Sequence, residues 1–148
     1  MNSQTDIDAL DWRILAVLQR DARTSMTALA KQVHLSAPAT TERVRRLEER
    51  GVICGYHARV NSLALGYSIC ALIRVSCSNG IPLAAKVADM PEILECHIIT
   101  GRECVELKAV FRDVQHLDTV LKELMLFGET STAIVLRTEK LASEVARP

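Results

Sequence analysis

A chain of 148 residues with 49% hydrophobic residues can bury one ordinary core or two small ones. Lys and Arg together number 18, as do Asp and Glu, and this formal balance of zero argues against a protein that coats nucleic acid by charge alone. No apolar run reaches the roughly 18 residues of a membrane span, and the opening MNSQTDIDAL lacks a charged start followed by an apolar stretch, so the expected location is the cytoplasm.

The five cysteines (Cys54, Cys70, Cys77, Cys96 and Cys104) are odd in number and form no C-x-x-C pair, which points to reduced thiols. His34, His57, His97 and His116 are scattered, with no pair at i, i+4 and no Cys/His cluster at zinc spacing, so neither a metal nor another cofactor is expected. Charge is unevenly placed. Residues 1–60 carry nine Lys/Arg against seven acids, and residues 61–148 carry nine against eleven.

Ile7, Leu10, Ile14, Val17 and Leu18 recur at helical spacing, with Asp6, Asp8 and Asp11 near the positive end of the helix dipole, and predict a first helix ending near Asp21. Ser25 caps a short second helix through Ala28, Leu29, Ala30 and Val33, and a brief turn with His34 and Leu35 follows. Ser36 caps a third, which tolerates Pro38 in its first turn and ends at Gly51. At 100° per residue Thr40, Val44 and Leu47 point inward, while Pro38, Thr41, Glu42, Arg45, Arg46 and Glu49 face out. The segment VICGYHARVN alternates as a strand would and is expected to form a wing beside the third helix.

Residues 61–67 lack periodicity and read as a linker between a first domain over 1–60 and a second over 68–148. SICALIRVSC is a strand, and Leu83, Val87 and Met90 mark a helix closed by Pro91. EILECHIIT and ECVELKAVF flank Gly101 and Arg102 as a hairpin. Leu117, Val120, Leu121 and Leu124 form one helical stripe, TSTAIVLRT is a fourth strand, and a polar tail ends the chain. The order βαββαβ predicts a ferredoxin-like sandwich with both helices on one sheet face and an open apolar face suited to dimerisation. The expected fold class is α+β, a winged helix-turn-helix followed by this sandwich.

The runs DWRILAVLQRDARTSMTALAKQVHLS and LSAPATTERVRRLEERGVICGYHARVN resemble the Lrp/AsnC (leucine-responsive, feast/famine) family of prokaryotic transcription regulators, and PEILECHIITG resembles that family's effector domain. The resemblance implies a sequence-specific DNA-binding regulator responsive to an amino acid or related metabolite. It also implies a homodimer able to assemble into octamers, with effector held between subunits. The family pattern has an aspartate where this chain has Cys104, and Pro-Gly-Val is missing from FGETSTAIV.

A dimeric helix-turn-helix reads an imperfect palindrome in duplex DNA through the start of its third helix. The candidate DNA contacts are therefore Ser36, Ala37, Pro38, Thr40, Thr41, Glu42, Arg43, Arg45 and Arg46. Arg45 and Arg46 suit guanine O6 and N7, Thr41 a thymine methyl and Glu42 cytosine N4, while Arg43, nearer the core flank, suits a phosphate or an internal ion pair. A zwitterionic ligand needs acceptors for its ammonium and donors for its carboxylate, which Gly101, Arg102, Glu103, Cys104, Thr130 and Thr132 offer. A thiol-based redox regulator acting through Cys104 is the alternative. A small ferredoxin-like enzyme is a third, disfavoured by the absence of any recognisable catalytic motif.

Overall fold

The computed structural model describes residues 7–77, 83–101, 103, 105–141 and 143–147. The chain divides into two compact units, one comprising residues 1–59 and 140–148, the other residues 60–139. The division falls between residues 59 and 60, ahead of the expected linker over 61–67, and residues 140–148, expected in the second domain, group with the first unit, which no local pattern announces.

The first unit is built on three helices: α1 (Ala9–Arg20), α2 (Met26–Val33) and α3 (Ala37–Glu49). Each begins at a side-chain cap that satisfies otherwise orphaned N–H groups. Asp8 accepts from the N–H groups of Leu10 and Asp11, and the Asp11 carboxylate accepts from the Asp8 N–H in return, completing a capping box. Ser25 and Ser36 accept from Ala28 and Ala39. His34 takes a left-handed φ of 59° after α2, and Gly51, at φ 67°, closes α3. Ile14, Leu15, Leu18, Leu29, Val33, Val44 and Leu47 are buried together, one stripe from each helix.

The expected wing strand is not formed. The N–H groups of Val52 and Ile53 both donate to the Leu47 carbonyl, and both side chains pack on the helical core, so consecutive residues share one side instead of alternating. Beyond Ile53 the segment is exposed and pairs with no strand among the described residues.

The second unit has the expected βαββαβ order: β1 (Ile69–Cys77), α4 (Leu83–Val87), β2 (Ile93–Ile98), β3 (Val105–Phe111), α5 (Val114–Leu124) and β4 (Gly128–Ile134). The sheet order is β2-β3-β1-β4, all neighbours antiparallel, so β3 lies between the parallel strands β1 and β2 as a split βαβ requires. Ala71, Ile73, Val75, Val105, Leu107, Ala109 and Phe111 are buried under Leu83, Val87, Leu117, Val120 and Leu124.

The opposite sheet face departs from the expected apolar surface. Arg74 donates to Glu106 at 2.8 Å and Lys108 to Glu95 at 2.7 Å, forming a ladder of ion pairs across three strands. Its apolar part includes Cys70, Leu72, Val110 and Ala133. Among the described residues no helix is long and apolar enough to cross a membrane, and no group of His, Cys, Asp or Glu is placed to hold a metal ion.

Candidate nucleic-acid interface

Helix α3 owes its orientation to its buried stripe. Thr40, Val44 and Leu47 are 0%, 4% and 1% exposed, which turns Pro38, Thr41, Arg45, Arg46 and Glu49 to solvent. Thr40 is therefore removed from the candidate contacts, because its hydroxyl donates to the Ser36 carbonyl at 3.0 Å inside the unit, out of reach of a base. The helical count places Thr40 inward, and that count outweighs its position in the first turn. Thr41 stays exposed while its hydroxyl donates to the Ala37 carbonyl at 2.9 Å. Ser36 uses its hydroxyl as the cap, Ala37 is half-buried, and Pro38 is exposed.

Arg43 lies on the flank between the two faces, and the internal ion pair prevails over the phosphate. Its Nη1 donates to Asp11 and to Asp8, each at 2.7 Å, on the first turn of α1. These contacts with Asp11, then Asp8, raise the pKa of Arg43. The Asp8 carboxyl is pulled below its usual value, first by the Asp11 N–H and further by Arg43 against the opposing effect of burial. Arg43 is thus a strut between helices.

Glu42, Arg45, Arg46 and Glu49 form one connected group. Arg45 grips Glu42 with two parallel bonds, Nε to Oε2 at 3.0 Å and Nη2 to Oε1 at 2.8 Å, and its Nη1 reaches Glu49. Arg46 donates Nε to Glu42 Oε1 at 3.1 Å. Hydrogen bonds from Arg45 and then Arg46 bring the Glu42 carboxyl down to about 2, so it is ionised at any physiological pH. Its oxygens point along the helix to arginines, in place of the outward cytosine contact. Glu48, one turn on, accepts from the Tyr56 hydroxyl at 2.8 Å. Burial, followed by Glu48, pushes that phenol up to about 12.

Among the described residues the effector candidates lie on both faces of the sheet. Arg102 and Cys104 lie outside the described residues. Gly101, at φ 120°, occupies the β2–β3 turn, where a side chain would be strained. Glu103 lies 3.7 Å from Arg74, whose side chain occupies the open sheet face. Thr130 and Thr132 sit opposite Val75 and Ile73, on the other face. Within one chain the sheet separates the threonines from the partner of Glu103.

Residues 7–48 match the AsnC-type helix-turn-helix domain, and residues 70–145 match the Lrp/AsnC ligand binding domain. Over 130 residues the chain is 36% identical to an uncharacterized HTH-type transcriptional regulator of Bacillus subtilis, YezC, spanning 88% of this chain and 94% of that protein. It is also 36% identical over 141 residues to the leucine-responsive regulatory protein of Rhizobium meliloti, spanning 91% and 90%. The fold is similar to the feast or famine regulatory protein of M. tuberculosis complexed with L-methionine, with a TM-score of 0.90, 27% identity, and coverage of 95% of this chain and 99% of that one.

Proposed function

This chain belongs to the Lrp/AsnC family of DNA-binding transcription regulators, and from that premise we propose that it binds an imperfectly palindromic operator as a homodimer and adjusts that binding to a free amino acid. One observation carries the DNA half. Arg45 and Arg46, 53% and 62% exposed at the side chain, stand on the outward face of the third helix of a helix-turn-helix, the element that enters the major groove.

Dimerisation is supported by exposed apolar side chains that a monomer has no use for, including Leu63 at 66%, Ile98 at 75% and Leu136 at 94%. Assembly of dimers into octamers is the family's further option. The ligand half is supported by relatives named for leucine or solved with L-methionine. Gly101, Arg102, Glu103, Cys104, Thr130 and Thr132 are its proposed contacts, and because the threonines and the partner of Glu103 lie on opposite sides of one sheet, the site is completed by a second subunit.

The test has two arms. Duplexes selected from a randomised library by the purified protein yield a two-fold symmetric motif with half-sites about one helical turn apart. A scan of single amino acids then shifts the melting temperature for one ligand class, since ligand at a hundred times its dissociation constant adds about 2.7 kcal/mol. A motif without symmetry overturns the dimeric reading, and a scan in which no amino acid shifts the melt overturns the effector.

A further inference from the structure

Resting on the proposed entry of α3 into the major groove, we propose that Glu42 is a positioning residue which makes Arg46 the guanine reader and withholds Arg45 from base recognition. The two arginines differ in what their donors do. Arg45 has all three guanidinium nitrogens engaged, two on Glu42 and one on Glu49. Arg46 is held only at Nε, by the same carboxylate, and among the described residues its terminal Nη1 and Nη2 make no hydrogen bond.

That difference matters because guanine O6 and N7 are read by two parallel N–H donors on one arginine edge. A guanidinium anchored at Nε by a neighbouring acid has lost most of its freedom to swing, and its free terminal edge points away from the anchor. Arg46 is therefore pre-oriented, and less rotamer freedom is lost when it meets a base. Arg45 has three of its five N–H donors on two acids, and both must yield before its guanidinium can swing toward a base. A single exposed ion pair contributes little, but here three bonds converge on one carboxylate and two of them form the parallel fork.

Glu42 has a second effect on the same surface. Together with Glu49 it cancels the charge of Arg45 and Arg46, so the outward stretch from Glu42 to Glu49 attracts the DNA backbone weakly unless a correct base is met. Non-specific affinity comes almost wholly from phosphate neutralisation and grows with each phosphate contacted. Holding it down widens the gap between operator and random DNA, so Glu42 determines specificity twice over.

The experiment uses the full chain and two probes, the duplex selected from the randomised library by the wild-type protein and a random 30-bp duplex. Glu42→Gln keeps the side chain's shape and removes its charge. We expect it to bind the random duplex about tenfold more tightly, with a salt slope steeper by roughly one unit. We also expect the preference for guanine at one position of each half-site, about tenfold in wild type, to fall to a few-fold. Glu42→Ala should do the same or more. Arg46→Ala abolishes that guanine preference, whereas Arg45→Ala spares it and lowers the salt slope.

If both Glu42 variants keep the wild-type guanine preference and random-duplex affinity while Arg46→Ala loses the preference, Glu42 has no positioning role and only this inference falls. If Arg46→Ala and Arg45→Ala both bind each probe as wild type does, α3 is not the reading helix and the underlying proposal falls with it.

Discussion

Arg43 on the third helix and Asp11 on the first are 32 residues apart in sequence and 2.7 Å apart in space. Asp11 is 7% exposed and serves two purposes, closing the capping box of α1 and receiving the strut from α3. The set of α3 against α1 thus depends on a buried side chain of α1.

Replacing Arg43 with Met keeps the aliphatic stem and leaves Asp11 without its cation. The expected loss is about 2 kcal/mol, the range for a hydrogen bond to a charged group whose partner is left partly buried. Denaturant titration read by Trp12, the chain's single tryptophan and a neighbour of the first unit's core, measures it directly. Unchanged stability with a reduced salt slope in DNA binding would instead return Arg43 to the phosphate role.

Acid should loosen the first unit. Asp8 and Glu42 both have folded-state pKa values below their ordinary 3.8 and 4.5, so the stability they add is complete above about pH 4.5 and is lost as the pH falls toward 2. Melting followed at Trp12 should show a falling midpoint across that window, and Asp8→Asn should flatten it. A midpoint equally steep in Asp8→Asn would mean that other carboxyls govern the acid response.

Thr40 and Thr41 make a paired test of which face reads DNA. Thr40→Val removes a hydroxyl satisfied within the fold and is expected to change stability by about 1 kcal/mol or less while leaving operator affinity intact. Thr41→Ala removes an exposed methyl and hydroxyl and should weaken binding at one A·T position, with little effect on stability. Anisotropy titrations with single-base operator variants separate the two, and the reverse pattern would require α3 to be rotated.

What the sequence discloses here is what depends on near neighbours. Ser25 and Ser36 announce their helices because a cap needs only the next three residues, and Gly101 announces the β2–β3 turn because its φ of 120° excludes most side chains. The buried stripes of α3 and α5 follow from period alone. The Arg43 strut was legible only as an arginine on the flank, since nothing local names Asp8 and Asp11 as its partners. The wing failed for a related reason, because alternation in VICGYHARVN describes a strand without supplying one to pair with. The distribution of the effector candidates over two sheet faces was not legible, since register decides that Thr130 and Thr132 oppose Val75 and Ile73, and a single sequence does not encode register legibly.

Among the described residues the hydrogen bonds of longest sequence separation hold the tail of the first unit. The Gln19 carboxamide donates to the Val145 carbonyl at 3.3 Å and accepts from the Val145 N–H at 2.8 Å, while Arg20 pairs with Glu144 at 2.9 Å. A carboxamide bonded both ways to one residue's backbone acts as a strand neighbour would and ties the tail to the end of α1. Because these groups are exposed, the two bonds together are expected to add about 1 kcal/mol. Gln19→Ala should lower the stability read by Trp12 by that amount in the full chain, and by nothing measurable in a chain ending at residue 142. Such non-additivity identifies a direct pair. An equal loss in both chains would place the role of Gln19 within the helices and leave the tail without a mechanical part in the first unit.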